Sequence, residues 1–414
     1  MKMGLTPGDV DDMVANATPE KFIGDSVKTT ATSYESNTSS TILTTRRVMV
    51  IGCGDGGCCI VSDIYKACQN DDVYTIAYNT SNRNLGAISA HRKLNVVDSD
   101  GAGRNRSAAK NLFKRDIGSK ALAIIKNKLD EAEAEGRPFS YIMVFATTDG
   151  GTGSGTSPMF AKYIFDNTTV PVIICGVYPS LSEDAQSLYN AIEWQREVSG
   201  VGVSGVGIPY IILNNNIQNQ TKTAIHSIVN AQAVDVVKMI IGSYFGNSVH
   251  GTIDNQNLYM LLAQQGKRIV IASSEVRPTS QQSLDDYLEV LVRKCNQPMP
   301  SAGQGLAVFV KGTEDLIRRL DTSIPDFCER YTAPILKFPH IEVSSTIRIG
   351  IIISGCEEPI PELSAIKARY DDLMAAASRH SAFSMSDFMN GMNSPMTIKT
   401  RVITTTDSKS AFEL

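Results

Sequence analysis

The run Asp149-Gly150-Gly151-Thr152-Gly153-Ser154-Gly155 constrains this chain more than any other segment. It follows an apolar stretch, Tyr141 to Thr147, and precedes a helix-like segment from Ser157 to Asp166. Glycines and small hydroxyl side chains leave so little bulk that backbone N–H groups can close around an anion. A helix beginning just after such a run points its positive N-terminal end at the same anion. Strand, glycine run and helix in this order read as a phosphate cradle. The competing reading is an ordinary glycine-rich turn.

A second glycine loop weighs against that plainer reading. Gly52-Cys53-Gly54-Asp55-Gly56-Gly57 follows the strand-like Arg47–Ile51 and precedes a helical run from Cys59 to Cys68. Alone, it is compatible with a dinucleotide-binding βαβ unit or with a tight strand-to-helix turn. Two such loops in one domain argue for one nucleotide held by both. Between them lies Ala77-Tyr78-Asn79-Thr80-Ser81-Asn82-Arg83-Asn84-Leu85, at the end of the strand-like Val73–Ala77. Next comes the loop Asp98-Ser99-Asp100-Gly101-Ala102-Gly103-Arg104-Asn105, ahead of a helix.

Taken together, these four loops resemble the tubulin/FtsZ superfamily of GTPases. The family signature GGGTG(S/T)G corresponds to Asp149–Gly155, with Asp149 in place of the first glycine. The N-T-x-x-x-x-L segment is Asn79–Leu85, and the GAG-x-N loop is Gly101–Asn105. The resemblance covers roughly residues 46–355 and is nearer to the bacterial plasmid and phage tubulins (TubZ, PhuZ) than to division FtsZ or eukaryotic tubulin.

Composition fits that frame. A chain of 414 residues, 42% hydrophobic and 20% charged, is expected to bury a large core as a soluble globular protein. A net charge of −4 gives no basic field for direct nucleic-acid binding. The sequence has no apolar run of about eighteen residues and no basic-then-apolar leader, so neither a membrane span nor a secretory signal is expected. Eight scattered cysteines do not make a disulfide framework, and no His has ligand spacing to them. A reduced cytoplasm is the expected compartment and a protein-ligated metal cluster is not expected.

Along the chain, residues 1–45 are polar and Ser/Thr-rich and read as an arm. From 46 to 220, strand-like runs (Val48–Ile51, Val73–Ala77, Tyr141–Thr147, Val170–Val177, Pro209–Asn214) alternate with helical stretches. That alternation predicts an α/β fold with a doubly wound parallel sheet and ligand loops at the carboxyl ends of its strands. Thr221–Phe245 reads as one long central helix, with Ile225, Ile228, Val229, Val234, Val237, Ile240 and Ile241 near the 3.6-residue period. Residues 247–356 read as a second, smaller α/β domain with strands Arg268–Ser273, Leu306–Lys311 and Ser344–Ser354 and helices Leu284–Cys295 and Glu314–Leu320. Pro359–Ala376 predicts an amphipathic helix, followed by a Met/Ser/Thr-rich tail to residue 414.

The resemblance also implies roles. Gly150, Gly151, Thr152, Gly153, Ser154 and Gly155 would hold the β- and γ-phosphates of GTP or GDP, with magnesium offsetting charge. Gly54, Gly56, Gly57 and Cys58 would approach the α/β-phosphates, Asn79 would lie beside them, and Gly101, Ala102, Gly103, Arg104 and Asn105 would form the loop that senses the γ-phosphate. Asn230, or alternatively Asn214, would face the guanine edge; either also reads as a cap. Glu183 is a candidate ribose contact or a solvated loop acid.

In this family the acids that polarise the water come from the next subunit. The matching stretch here is Thr252-Ile253-Asp254-Asn255-Gln256-Asn257. Asp254 matches the first acid, though an Asp at a helix start is also an N-cap. Asn257 stands where a second carboxylate is usual, and an amide orients water without accepting its proton. No metal-ligating side chain is assigned.

The resemblance therefore implies an assembly-activated, cytoplasmic GTPase that polymerises head to tail, with itself as partner. It implies a role in plasmid or phage DNA positioning through an adaptor protein rather than by direct contact. A filament protein with little hydrolysis, an FtsZ-type division protein and a dinucleotide-dependent oxidoreductase are the alternatives.

Overall fold

The computed structural model describes residues 46–356 and 360–380, apart from 70–71, 97–98, 100, 201–206, 246–252, 254, 265–266, 277–285, 289, 292–296, 299, 301–302 and 322–335. The arm at 1–45, the tail from 381 and Asp254 thus lie outside the described residues, as does most of the helix expected at Leu284–Cys295.

In chain order the elements are β1 (Arg47–Cys53), α1 (Gly54–Ala67), β2 (Val73–Asn79), α2 (Asn82–Leu85), β3 (Arg92–Asn95), α3 (Arg106–Leu112), a π turn (Phe113–Ile117), α4 (Gly118–Ala134), β4 (Phe139–Thr147), α5 (Gly151–Asn167), β5 (Val172–Tyr178), α6 (Ala185–Val198) and β6 (Tyr210–Asn214). They continue as α7 (Lys222–Ile241), α8 (Asn255–Leu262), β7 (Arg268–Glu275), β8 (Gly305–Gly312), α9 (Glu314–Asp321), β9 (Leu336–Val343), β10 (Arg348–Cys356) and α10 (Pro361–His380).

The strands form one sheet in the order β3-β2-β1-β4-β5-β6-β7-β10-β8-β9. Pairing is parallel from β3 through β7, antiparallel on both sides of β10, and parallel again between β8 and β9. Sequence order reverses direction between β1 and β4, the switch point where a parallel α/β sheet opens a crevice at its carboxyl edge. Alternation along β1 shows why both faces are covered. Val48 and Val50 enter one core with residues of α1 and α7, and Met49, Ile51 and Cys53 enter another with Phe160, Trp194 and Ile366. A third core lies around β7, β10 and β8 with Leu316 and Leu320 of α9.

α7 is long and apolar enough to cross a membrane by length and composition, but half of its apolar stretch is buried inside the fold. It packs against α1 and β7. It stops at Ile241, short of the expected Phe245, because Gly242 takes the left-handed conformation (φ 83°). The strand expected at Ser344–Ser354 begins only at Arg348.

Two larger corrections concern the glycine segments. The helix expected from Ser157 begins at Gly151, and the one expected from Cys59 begins at Gly54, so most of both glycine runs is helix rather than loop. Tertiary contact explains why these residues stay small. A Cβ on Gly153 would lie 2.6 Å from Thr147 O and 3.0 Å from Cys53 O, and one on Gly56 would lie 2.1 Å from Thr147 Cγ2. The two segments also touch each other, since a Cβ on Gly54 would lie 2.7 Å from Gly153 N.

Candidate functional site

A cavity of about 800 Å³ opens at the carboxyl edge of β1, β2, β4 and β5, over the switch point. Its floor is Gly54, Asp55 and Gly56 of α1, Thr147 of β4, and Asp149–Gly153 at the start of α5. One wall is Asn79, Thr80, Ser81 and Asn84, and another is Gly101–Arg104. The far end is Pro179, Ser180, Ser182, Glu183, Asn215, Ile217, Gln220, Lys222, Ile225 and His226.

The helices around this cavity begin in two ways. α3, α6 and α7 are capped by their own side chains: Asn105 Oδ1 accepts from Ala108 N at 3.0 Å, Asp184 Oδ1 from Ser187 N at 2.9 Å, and Thr221 Oγ1 from Ala224 N at 3.2 Å. α1 and α5, which open onto the cavity floor, have no side-chain cap at Cys53 or Gly150, and neither does the one-turn α2 at Ser81. First-turn N–H groups without a capping side chain, at the positive end of a helix dipole, are the donors an anion needs. The Thr80 and Thr152 hydroxyls share a hydrogen bond of 2.6 Å, tying the end of β2 to α5. Ser154 turns away and donates to the Gly150 carbonyl.

The Gly101–Arg104 wall is held in an unusual backbone. Gly101, Gly103 and Arg104 all have positive φ (116°, 56° and 61°), and for Arg104 this is a strained conformation. Its surroundings fix it. The guanidinium is ion-paired with Asp184 and donates to Ser187 Oγ at 3.0 Å, while the Arg104 carbonyl accepts from Asn190 Nδ2 at 3.0 Å. Burial raises the Asp184 carboxyl, but the Ser187 N–H and hydroxyl and the Arg104 guanidinium outweigh it, and Asp184 sits below the usual range.

Charges at the far end are also paired, with Lys222 Nζ 2.8 Å from Glu183 Oε1. The Arg and the Lys that line the cavity, Arg104 and Lys222, are therefore already engaged by carboxylates. Burial pushes the Cys53 and Cys58 thiols well up, so neither is a thiolate nucleophile or ligand near neutral pH.

Of the residues singled out in the sequence, Gly54, Gly56, Asn79, Gly101, Ala102, Gly103, Arg104, Gly150, Gly151, Thr152, Gly153 and Glu183 line the cavity. Gly57, Cys58, Asn105, Ser154, Gly155, Asn214 and Asn230 stand behind its walls. Cys58 is buried, with Sγ 3.3 Å from the Tyr78 carbonyl. Gly57 lies against the Phe145 carbonyl, and Gly155 against Arg106. Asn214 Oδ1 accepts from Asn216 N at 2.9 Å. Asn230 donates to Asp63 of α1 at 2.7 Å, and on α7 it is His226, one turn earlier, that faces the cavity. A helix rises about 1.5 Å per residue, so Asn230 is about 6 Å further along the axis than His226. Asn257 lies on α8, away from this cavity.

Sequence reading missed Asp55, His226, Asn215 and Gln220 as lining residues, and Asn190 behind the wall. The spacing of Lys222, Ile225 and His226 (i, i+3, i+4 from a Thr cap) was the available signal for His226.

The donor set fits a polyphosphate at the α1/α5 mouth. Among the described residues no group of three or more His, Cys, Asp or Glu is arranged to hold a metal ion by itself. Hard oxygen donors do line the mouth: Asp55, Asp149 and Thr152. That set suits magnesium carried largely by phosphate oxygens.

Residues 47–202 match the tubulin/FtsZ family GTPase domain. Cell division protein FtsZ 2 of Methanocaldococcus jannaschii is 30% identical over 140 residues, which is 34% of this chain and 34% of that protein. The chain thus aligns with about a third of that curated relative's length. Among solved structures, Clostridium botulinum phage c-st TubZ superposes with a TM-score of 0.62 at 19% identity, covering 80% of this chain and 99% of that one. A GTPγS-bound protofilament of CetZ2 from Haloferax volcanii gives 0.62 at 18% identity, with coverages of 80% and 99%. A GTPγS-form protofilament of TubZ from Bacillus thuringiensis serovar israelensis gives 0.64 at 15% identity, with coverages of 81% and 94%. At such identities the likeness establishes the fold. With the cavity at the switch point and the matched segment supplying its floor, residues 47–202 are similar to the GTPase domain of the tubulin/FtsZ family.

Proposed function

We propose that the chain binds GTP in this cavity and hydrolyses it to GDP and phosphate, and that it assembles head to tail into filaments. The observation that carries the reading is the pair of helices, α1 and α5, that start without side-chain caps on one cavity floor while α3, α6 and α7 around them are capped. Phosphates would lie on those N-termini, and the base would reach the far end beside Asn215, Gln220 and His226. Magnesium, when bound, would offset phosphate charge at the oxygen donors of the mouth. Arg104, with its strained backbone, would sit beside the terminal phosphate.

The water-activating residues would come from the neighbouring subunit through the segment containing Asp254 and Asn257, so that assembly completes the site. A contact of that kind is heterologous and propagates as an open filament. The protofilament assemblies among the solved relatives support self-association. The physiological task would be moving plasmid or phage DNA in a bacterial cytoplasm through an adaptor, consistent with the phage TubZ likeness and the net charge of −4. The second reading is a division role, favoured by the relative named as a cell division protein.

The test is phosphate release against protein concentration with GTP and magnesium, with pelleting of the same samples, for the native chain and Asp254→Ala. A concentration threshold shared by phosphate release and pelleting, with a mutant that pellets but releases little phosphate, supports the shared site. Release strictly proportional to protein, without polymer, overturns the filament reading.

A further inference from the structure

We infer that Asp55 makes nucleotide capture conditional on a divalent cation, by holding a carboxylate ligand for that cation against the phosphate-binding floor. The inference rests on the reading above that a nucleoside triphosphate occupies the cavity.

Asp55 is the second residue of α1 and lines the cavity floor between the two uncapped helix starts. Its carboxylate is pinned. Asn79 Nδ2 donates to Oδ1 at 2.5 Å and Asn84 Nδ2 donates to the same oxygen at 2.8 Å. Both bonds end on Oδ1 and Asp55 lines the cavity, so the carboxylate is held in place there with Oδ2 outside both bonds. A solvated acid of no consequence would not need two amides from a separate segment to hold it.

The charge balance of the cavity then decides what this carboxylate does. Arg104 is engaged by Asp184 and Lys222 by Glu183, so neither of these two cations is free to neutralise Asp55. Phosphate oxygens brought to the α1 and α5 N–H groups would meet a negative group held in place beside them, and the two repel. A divalent cation converts that repulsion into a bridge. Magnesium is typically held by one or two carboxylates together with substrate phosphates, and here the first carboxylate is already oriented. The alternative role for Asp55, an acid that only complements the α1 dipole, needs no cation and predicts no linkage between cation and nucleotide.

The experiment is calorimetric titration of GTP into the full chain, with magnesium and with EDTA, for the native protein and Asp55→Asn. The variant keeps an oxygen for Asn79 and Asn84 to bond while removing the charge. Expected is a magnesium-induced tightening of GTP binding of about a hundredfold in the native chain, reduced to less than about fivefold in Asp55→Asn, whose binding in EDTA exceeds the native value. Equal magnesium dependence in both proteins overturns the inference and leaves the GTP reading standing. Native protein that binds no GTP in either condition overturns the GTP reading and the inference with it. If Asp55→Asn does not fold, the native chain made with 13C-carboxyl aspartate is loaded with Mn²⁺ and GTP. A hyperfine coupling between manganese and a carboxylate carbon that persists in Asp149→Asn supports the bridge, and its absence overturns it.

Discussion

Asn190 donates its side-chain amide to the Asp149 carbonyl at 2.8 Å, and with its second proton to the Arg104 carbonyl at 3.0 Å. Its own oxygen accepts from Gln186 Nε2 at 2.9 Å, so this fully buried amide is satisfied at every position the cavity walls demand. One side chain on α6 thereby locks the strained Gly101–Arg104 wall to the start of the signature segment. Asn190→Ala leaves the two carbonyls without that donor, at a cost of about 1–3 kcal/mol. GTP affinity should fall about tenfold or more as the two walls lose their common anchor. Asn190→Asp should be worse than Ala, because it turns an acceptor toward two acceptors. Calorimetric binding and thermal melts check both, and a stable Asn190→Ala protein with native GTP affinity would remove the anchoring role.

The glycines of the signature segment should separate into two classes. Gly153 is closed in by backbone atoms, with Thr147 O at 2.6 Å and Cys53 O at 3.0 Å from where a Cβ would stand. Gly153→Ala should destabilise the fold by about 1–3 kcal/mol through overpacking. Gly150 has φ −81° and nothing within 4 Å of its Cβ position. Gly150→Ala should therefore change stability by less than about 0.5 kcal/mol, yet weaken GTP binding by putting a methyl at the open start of α5. Melting curves and nucleotide titrations on the two variants would show this crossed pattern; equal losses of stability would contradict it.

How much of this was legible in the sequence depended on what each residue type was reporting. The central strands β1, β2, β4, β5 and β6 announced themselves as short apolar runs because both sheet faces are buried. β3 did not, because RKLN is an edge strand with exposed or half-buried side chains. β9 did not either: LKFPHIEV contains Pro339, which argues against a central strand but is tolerated at a sheet edge, where β9 lies. The glycine segments read as a phosphate cradle made of loops, whereas most of both is helix; glycine's steric value against Thr147 and Cys53 is a tertiary fact. Asn230, or alternatively Asn214, was the expected base contact, whereas on α7 it is His226 that lines the cavity, because helical phase fixes a face only when the neighbouring wall is known. Asn190 had no local signature; its partners lie 41 and 86 residues away in sequence.

Asp235 on α7 gives a pH-dependent prediction. Burial pushes its carboxyl up, against the Tyr244 hydroxyl that donates to it and the nearby Arg348 and Lys238 charges. A carboxyl whose folded value lies above its unfolded one, about 3.9, binds its proton more tightly in the native state. Its contribution is then complete below about pH 4 and is lost as pH rises through the raised value. Asp235→Asn still accepts from Tyr244 and carries no charge to desolvate, while Arg348 keeps Glu275 at 3.3 Å. The variant should melt a few degrees above the native protein at neutral pH, with the difference shrinking toward pH 4. A difference independent of pH would show that the effect is packing and not ionisation.

Behind the cavity, Glu197 of α6 is gripped by two cations of α3, with Arg106 Nη2 at 2.6 Å and Lys110 Nζ at 2.8 Å. The Arg106 and Glu197 side chains are only 10% and 12% exposed, and burial lowers the Arg106 pKa against the opposing pull of Glu197. Lys110 has a flexible stem that can carry its ammonium to water, whereas Arg106 is held by a further bond to the Asn190 carbonyl at 2.8 Å. Glu197→Ala thus strands a buried guanidinium and should cost about 3–5 kcal/mol, most of it the penalty of the orphaned charge. The double replacement Arg106→Met with Glu197→Leu removes both charges and fills their volume, so it should cost less than Glu197→Ala alone. Urea denaturation of the native protein, Glu197→Ala, the double variant and its two single replacements at one pH measures the difference. If the double variant is instead as unstable as the sum of its single replacements, the pair's worth lies in its specific hydrogen bonds and not in mutual charge compensation.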